Sequence, residues 1–341
     1  MSNESGSGSS GPSPRRIMEL ATGYWASMVL LTLNELRIFT ELSRGAGTVS
    51  ELSSKLSLDA RALAFLVDAG VNLGLLRRDG DRYATTAETE AFLVEGKPSF
   101  MGGGLKYALD TFPVWGKLPA AVRTGEPQIA ASEYLGDDKE RTRRFVYAMH
   151  HRAKPTAFGL GQGIDLTGCT RLLDLGGGSG AYSIYFCRRH PELRATLFDL
   201  PGVLEVAAEI VAAEGVAGQV ELRPGDFHHD DLGLQLYDAV FLNGIFHRER
   251  EETCRGLLQR VRTAMVPGGR VHVSDVMLDD TGHGPVFPTL FALNMLLSAP
   301  GGGAHSTSAQ VEWLSEAGFT EIVVNPLPQP ATYTLISARR G

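Results

Sequence analysis

Cysteine is scarce in this chain, which limits the covalent and metal chemistry available to it. Only Cys169, Cys187 and Cys254 are present among 341 residues, and no two of them have Cys-x-x-Cys spacing. Disulfide frameworks and zinc sites depend on paired or closely spaced cysteines. The sequence therefore predicts three reduced thiols with structural roles and no zinc site.

Long apolar runs are also missing. No run reaches the roughly 18 residues that a membrane-spanning helix needs. The polar start MSNESGSGSSGPSP has no apolar core of the kind found in signal peptides. We expect a disordered tail over residues 1–13, a cytoplasmic location and no membrane partner.

Basic residues are outnumbered by acidic ones, which gives a formal net charge of −7. A negative surface disfavours non-specific binding to nucleic acid or anionic lipid, because both polyanions require a basic patch. We therefore expect a small-molecule partner and no nucleic acid. Hydrophobic residues make up 43% of the chain, which is enough for two domains with cores of ordinary size.

Residues 14–100 have the pattern of a small helical domain. Thr48 and Glu51 match a capping box, Asp59 is placed to begin the next helix, and LLRRDGDRYATT predicts a hairpin with its turn at Asp79. This is a winged-helix outline. Its recognition helix would offer mainly Arg61 to DNA, so we expect dimerisation and keep DNA binding as the weaker alternative.

Residues 101–160 are expected to form connecting helices that contribute to a ligand pocket. Gly102–Gly104 are predicted to bend the chain, and Pro113 and Pro155 to interrupt the helices. Most aromatic side chains here are expected to pack in a core. The candidates for lining a pocket are Trp115, Phe145 and Met149.

Residues 161–341 alternate between predicted strands and helices, which indicates an α/β domain with a parallel sheet covered on both faces. Ligands of such sheets bind at the carboxyl ends of the strands. The stretch LLDLGGGSGAYS places Asp174 at a strand end, before Gly176, Gly178 and Gly180. An acid before the glycines disfavours a pyrophosphate and suits a cationic amino-acid ligand, such as the methionine part of S-adenosylmethionine.

Two further strands end in acids. Asp199 is placed to accept hydrogen bonds from ribose hydroxyls, which would serve NAD equally well. Asp226 and Phe227 follow the next strand, where they are placed to bind an adenine amino group and to stack on its ring. Solvated strand-end loops are the alternative, although three acids at successive strand ends favour one cofactor site.

The chain from Arg15 onward resembles the S-adenosylmethionine-dependent small-molecule O-methyltransferases of plant and bacterial natural-product pathways. Besides the helical domain, the resemblance is carried by the stretches FDLPGV, GDF, MVPGGRV and WLSEAGF. The resemblance implies a Rossmann-like class I methyltransferase domain after an all-helical winged-helix dimerisation domain, and a homodimer. The partner's pocket would then be lined by Tyr24, Trp25 and Met28. The cofactor contacts that it implies are Asp174, Gly176, Gly178, Gly180, Asp199, Leu200, Asp226, Phe227 and Asn243.

His247 occupies the position of the histidine base of this family. The family pattern His-Asp-Trp-Ser-Asp-Glu-x-Cys becomes HREREETC here, so the first acid is replaced by Arg248. A cation beside an imidazole disfavours its protonated form, so we expect an imidazolium formed during reaction to be less stabilised. The family's Lys-Glu-Arg-Thr is also absent, since residues 303–306 are GAHS, and Asp275 is predicted to orient His247 instead.

Other polar residues have two interpretations. The pair in FHHDD could suggest a metal site, but adjacent histidines point apart and the family needs no metal, so we predict none. His150 and Arg152 are expected on a solvated helix face, or in contact with an acceptor carboxylate. The predicted acceptor-binding residues are Trp115, Phe145, Met149, His150, Arg152, Phe246, Asn294 and Met295.

The leading hypothesis is methylation of a hydroxyl on a small, aromatic acceptor, with S-adenosylmethionine as methyl donor and His247 as general base. The first alternative is an S-methyltransferase that converts a small thioether acid to a sulfonium, since a thioether has no proton to remove. The second is a non-catalytic, DNA-binding regulator with the same fold.

Overall fold

The computed structural model describes residues 12–129, 138–326 and 332–341. The predicted tail over residues 1–13 lies almost entirely outside this part. The described residues form two compact units, divided between Leu109 and Asp110. None of the described helices is both long and apolar enough to span a membrane.

The first unit is helical with one hairpin. Its elements are α1 (Arg15–Thr22), α2 (Tyr24–Glu35), α3 (Ile38–Ser43), α4 (Val49–Leu56), α5 (Ala60–Asn72), β1 (Leu76–Asp79), β2 (Arg82–Thr85) and α6 (Ala87–Phe92). The predicted capping box is confirmed, because the Thr48 hydroxyl accepts from the Glu51 amide and the Glu51 carboxylate accepts from Thr48. The Asp59 side chain caps α5, and β1 pairs antiparallel with β2, so the winged-helix outline is confirmed.

Helix α1 is amphipathic but buries none of its residues within the described chain. Ile17 is 69% exposed, and Trp25 at the start of α2 is 60% exposed. Exposed apolar side chains grouped on one short segment are typical of a protein interface.

The helices that follow differ from the prediction. They are α7 (Gly102–Trp115), which crosses the division between the units, α8 (Leu118–Thr124) and α9 (Lys139–Gly161). Gly102–Gly104 form the first turn of α7 instead of a bend, and Pro113 and Pro155 lie inside helices without ending them. A proline removes only one backbone donor, and α9 is held by burial of Val146 and Leu160 in the core.

The second unit is built on a seven-stranded sheet in the order β5-β4-β3-β6-β7-β9-β8. The strands are β3 (Arg171–Leu175), β4 (Arg194–Asp199), β5 (Val220–Pro224), β6 (Tyr237–Asn243), β7 (Met265–Asp275), β8 (Phe319–Pro326) and β9 (Thr334–Arg340). Strands β3 to β7 are parallel, whereas β9 is antiparallel to both β7 and β8. The helices are α10 (Ala181–Arg189), α11 (Pro201–Ala213), α12 (Glu251–Ala264), α13 (Val286–Ser298) and α14 (Thr307–Glu316).

Both faces of this sheet are buried, which confirms the predicted α/β class. Leu172 and Phe241 pack on the face covered by α9, α10 and α11, and Leu173 and Val240 pack on the face covered by α12 and α14. Because the five parallel strands run in one direction, their carboxyl ends share a single edge.

Candidate active site at the carboxyl edge of the sheet

The predicted polar residues lie along the carboxyl edge of the sheet. Asp174 is the penultimate residue of β3, Asp199 ends β4, Asn243 ends β6 and Asp275 ends β7. Asp226 follows β5 by two residues. The edge therefore presents four carboxyl groups and one amide from neighbouring strands.

Asp174 is a buried carboxyl group with half of its hydrogen-bonding capacity unused. It is 1% exposed, and Ser183 donates its hydroxyl to Oδ2 at 2.7 Å. Oδ1 is buried and has no partner within the described chain. Burial raises the pKa of Asp174 to about 6, since a desolvated carboxylate is less stable. A donor or a positive charge supplied by a ligand would satisfy this oxygen.

Two positions of the glycine loop, Gly176 and Gly177, leave no room for a side chain beside this acid. A Cβ on Gly177 would overlap Asp174, and a Cβ on Gly176 would overlap Ile245. Gly176 and Gly180 also have positive φ values of 62° and 75°, which glycine adopts without strain. The backbone is therefore free to approach a ligand closely.

Asp199 is tied to the same loop. Its Oδ2 accepts the Gly178 amide at 2.8 Å, and its Oδ1 accepts the Leu200 amide at 2.7 Å. Burial raises the pKa of Asp199 to about 6, and the positive charge of Arg248 acts in the opposite direction. Arg248, which we expected to act on the neighbouring imidazole, thus acts on this acid. Each carboxylate oxygen keeps a second lone pair for a ligand hydroxyl.

Asp226 is held in place by the residue that follows Phe227. Its Oδ1 accepts the His228 amide at 2.9 Å and lies 2.6 Å from His228 Nδ1. Burial opposes ionisation, but these hydrogen bonds prevail and lower the pKa of Asp226. Phe227 is half-buried against the core cluster that contains Ile245.

Asn243 provides a second unsatisfied group. Its Oδ1 is buried and accepts no hydrogen bond within the described chain. Buried polar atoms without partners are uncommon in folded proteins. Two such oxygens, on Asp174 and Asn243, at the end of adjacent strands fit a ligand that carries hydrogen-bond donors.

His247 lies at the same edge, in the 3₁₀ turn Phe246–Arg248 that follows β6. Its Nδ1 is 2.5 Å from Asp275 Oδ1, and its backbone amide donates to Asp275 Oδ2 at 3.1 Å. The imidazole is 11% exposed and the carboxyl group 1%. Asp275 also accepts the Val276 amide, so its orientation is fixed by three donors. With Nδ1 engaged, Nε2 is the nitrogen left for proton transfer.

Two other segments hold the turn that carries His247. Phe291 on α13 packs edge-on against the imidazole, with ring centroids 4.8 Å apart. The Gly303 amide donates to the His247 carbonyl at 2.9 Å. His305 Nε2 lies 3.1 Å from the Phe246 carbonyl and 2.9 Å from the Glu249 carbonyl. The residue that replaces the arginine of the family motif therefore supports the turn.

The predicted acceptor residues are partly brought together. The Trp115 indole donates to Asn294 Oδ1 at 3.0 Å, and both side chains are half-buried. Met295 is buried beside Asn294 on α13, whereas Phe145 and Met149 are half-buried on α9. Their roles toward an acceptor stay predictions.

Two predicted acceptor residues have other environments. Phe246 is 1% exposed and packs against Trp313, and its role toward an acceptor stays a prediction. His150 is 5% exposed and not on a solvated helix face; its Nδ1 lies 3.2 Å from Ser179 Oγ and its Nε2 3.7 Å from Glu214. Burial lowers the pKa of His150 to about 4, so it is a neutral contact to the glycine loop.

Sequence reasoning missed two tyrosines that interact with predicted site residues. Tyr333 is half-buried, and burial raises its pKa while Arg152 acts to lower it. Arg152 and Tyr333 also act on Tyr182, which is buried against Phe241. Tyr182 belongs to the glycine stretch LLDLGGGSGAYS but is not one of its acids or glycines, and Tyr333 lies far along the chain with no local motif, so the sequence reasoning named neither.

A comparison with protein families gives the site its context. The O-methyltransferase domain family matches residues 115–320, and the O-methyltransferase dimerisation domain family matches residues 18–95. The first match alone covers more than half of the chain. The chain belongs to the O-methyltransferase family.

Relatives of this methyltransferase include two Streptomyces enzymes. It is 34% identical to the 3-hydroxy-5-methyl-1-naphthoate 3-O-methyltransferase of Streptomyces sahachiroi, over 93% of its own length and 94% of that protein. It is also 34% identical to the tetracenomycin polyketide synthesis 8-O-methyl transferase TcmO of Streptomyces glaucescens, over 94% and 96% of the two chains.

A solved structure agrees with these relatives. Human N-acetylserotonin methyltransferase in complex with S-adenosylmethionine matches with a TM-score of 0.87 and 27% identity, over 98% of this chain and 99% of that one. The predicted family, fold and S-adenosylmethionine dependence are thus confirmed: the methyltransferase is an enzyme of the natural-product O-methyltransferase type. None of these matches supports the S-methyltransferase alternative.

Proposed function

We propose that the methyltransferase methylates a hydroxyl group on a small, fused-ring aromatic acceptor, with His247 as general base. The observation that carries this proposal is the hydrogen bond between His247 Nδ1 and the buried Asp275, at the same edge of the sheet as the glycine loop. It leaves Nε2 as the basic atom at the edge where the cofactor site is proposed.

The residues at the edge fit S-adenosylmethionine. The unsatisfied oxygens of Asp174 and Asn243 suit the positively charged methionine part of the cofactor, which carries an ammonium group and a sulfonium. The carboxylate of Asp199 suits the ribose hydroxyls. Asp226 and Phe227 are left for the adenine. When bound, the cofactor supplies an electrophilic methyl group on a positively charged sulfur.

In the proposed reaction, His247 Nε2 removes the proton of the acceptor hydroxyl while the oxygen–carbon bond forms and the sulfur–carbon bond breaks. Asp275 holds the proton on Nδ1, which fixes the tautomer with a basic Nε2, and its charge stabilises the imidazolium that forms. The nearly buried imidazole and the Phe291 ring against it keep water from competing for the base.

The acceptor class is inferred from the walls near the base and from the relatives. Phe291 packs against the base, and Trp115 is hydrogen-bonded to Asn294 on the same helix, so both offer flat apolar surfaces there. One relative is named for a hydroxynaphthoate and another for a polyketide. A hydroxylated fused-ring arene fits both observations better than an aliphatic hydroxy acid.

We also propose that the active form is a homodimer. The exposed apolar residues of α1, including Ile17 and Leu20, lie at the start of the region that matches the dimerisation family. A second copy of the chain would remove them from water.

The acceptor is tested with radiolabelled S-adenosylmethionine and four acceptor groups: simple phenols, hydroxynaphthoates, larger hydroxylated polycyclic arenes and thioether acids. We expect transfer to the fused-ring hydroxyl compounds, and little to the simple phenols. Transfer only to the thioether acids would overturn the proposal, as would equal turnover by a His247→Gln variant on the preferred acceptor.

A further inference from the structure

A single imidazole joins two loops at the carboxyl edge of the sheet. The first, the adenosyl loop, is defined as residues 225–231 after β5; the second, the base loop, is residues 244–250 after β6. His228 Nδ1 lies 2.6 Å from Asp226 Oδ1 in the adenosyl loop, and His228 Nε2 lies 3.1 Å from Glu249 Oε2 in the base loop.

Both contacts require the protonated form of His228. Carboxylates only accept hydrogen bonds, and a neutral imidazole has one N–H, whereas the imidazolium has two. Burial opposes protonation, but the hydrogen bonds to Glu249 and Asp226 prevail and raise the pKa of His228. The bridge is therefore complete at low pH and loses one bond as pH rises through this raised pKa.

Other charged groups near His228 are engaged elsewhere. Asp230 accepts a backbone amide of its own loop at 2.7 Å, and Arg260 of α12 donates to two carbonyls of that loop. The ring of His229 is 6.0 Å from that of His228. In the described chain, the two carboxylates that contact the ring are those of the bridge.

The bridge sets the position of the residues proposed to hold adenine. It uses Oδ1 of Asp226 and leaves Oδ2 for a ligand. The His228 ring also lies 4.4 Å from the Phe227 ring at an interplanar angle of 30°, which limits the rotation of Phe227. Glu249 lies two residues after His247, so the bridge is attached to the loop that carries the proposed base.

We propose that His228 is a positioning residue that joins the adenosyl loop to the base loop and holds Asp226 and Phe227 for the adenine ring. This rests on the proposed placement of the cofactor. The consequence is an adenosyl affinity that depends on pH through a residue that touches neither the methyl group nor the acceptor.

The test uses 5′-methylthioadenosine, which keeps the adenosyl part but lacks the amino and carboxyl groups that titrate in S-adenosylmethionine. Its Kd is measured by isothermal titration calorimetry between pH 5.5 and 9 for wild type, His228→Gln, Glu249→Gln and the control His229→Gln. We expect both bridge variants to bind about tenfold more weakly than wild type at pH 6 and equally at pH 9, since a charge-assisted bond is lost. His229→Gln should follow wild type.

Steady-state kinetics provide a second measurement. His228→Gln should raise KM for S-adenosylmethionine at pH 6.5 and leave kcat within about threefold, because the base and its carboxyl partner are intact. A ratio of His228→Gln to wild-type Kd that does not change with pH would overturn the bridge. A Kd of Glu249→Gln for 5′-methylthioadenosine equal to that of wild type at pH 6 would also overturn the bridge, even if His228→Gln failed to fold.

An Asp226→Asn variant separates this inference from the proposed cofactor placement. Weaker binding of 5′-methylthioadenosine by Asp226→Asn, together with a pH-independent ratio for His228→Gln, would retain the placement and overturn the bridge. Unchanged binding by Asp226→Asn would overturn the placement itself, and with it the bridge.

Discussion

Replacing Asp275 by asparagine changes one buried atom next to the proposed base. The carboxylate accepts three hydrogen bonds, from His247 Nδ1 at 2.5 Å, from the His247 amide at 3.1 Å and from the Val276 amide at 2.7 Å. An asparagine amide replaces one acceptor by a donor, so a donor must face a donor in either orientation. Leaving one buried donor unsatisfied costs roughly 1–3 kcal/mol of stability.

The effect on rate follows from the tautomer. If the asparagine NH₂ group faces Nδ1, the ring proton moves to Nε2, where the acceptor hydroxyl must be deprotonated. General-base catalysis contributes about 10²–10⁴-fold to rates, so we expect Asp275→Asn to lower kcat by at least about 10²-fold. His247→Gln removes the base itself and should lower kcat by up to about 10⁴-fold, with little change in the Kd of S-adenosylmethionine.

The assay is initial-rate transfer of labelled methyl to the preferred acceptor, with thermal unfolding measured in parallel. Asp279→Asn is the matched control, since it removes an exposed carboxylate just after the same strand. Asp275→Asn should lower Tm by a few degrees and Asp279→Asn should change kcat little. A kcat within a factor of two of wild type for His247→Gln or Asp275→Asn would refute the general-base reasoning.

Three further predictions concern the cofactor loop and the dimer. Asp174→Asn should raise Tm of the ligand-free protein at pH 7. The pKa of Asp174 is about 6 in the fold, against 3.8 normally, so its ionised form destabilises the fold at pH 7, and this cost disappears as pH falls from 6 toward 3.8. Asparagine removes the buried charge. It should also weaken S-adenosylmethionine binding in calorimetry, and unchanged affinity would contradict the role of this acid. Gly177→Ala should abolish cofactor binding and lower Tm because of steric overlap, whereas Gly256→Ala, a helical glycine with open space around it, should keep binding. Leu20→Glu should shift the protein from dimer to monomer in light scattering, and Arg16→Glu on the same helix should not; a dimer retained by Leu20→Glu would argue against this interface.

Local signals predicted the elements of the fold well. The Thr48 capping box, the turn after Asp79 and the alternation of strands and helices after Thr170 depend on neighbouring residues, and the structure has them as expected. The connecting helices were predicted, but not their continuity through Pro113 and Pro155, because proline disfavours a helix interior and only tertiary packing keeps these helices continuous.

The candidate site was predictable where it follows from topology. Parallel strands bring their ends to one edge, so Asp174 and Asp199 were found without knowledge of distances. The contacts of His228 with Glu249 and of His150 with Ser179 could not be found in this way, since each joins segments that are distant in the sequence. Phe246 and His247 are adjacent, yet the 3₁₀ turn buries the first and leaves the second at the edge.

The support of His247 by α13 and the loop after it has a consequence for how this enzyme could diversify. Phe291 packs on the imidazole, and the Gly303 amide binds the His247 carbonyl, so the wall proposed for the acceptor also holds the base. A substitution on α13 that widens the acceptor range should therefore alter turnover of the original acceptor as well. Variants that accept new acceptors should need a second, compensating change in residues 299–306 before their kcat returns to the original value.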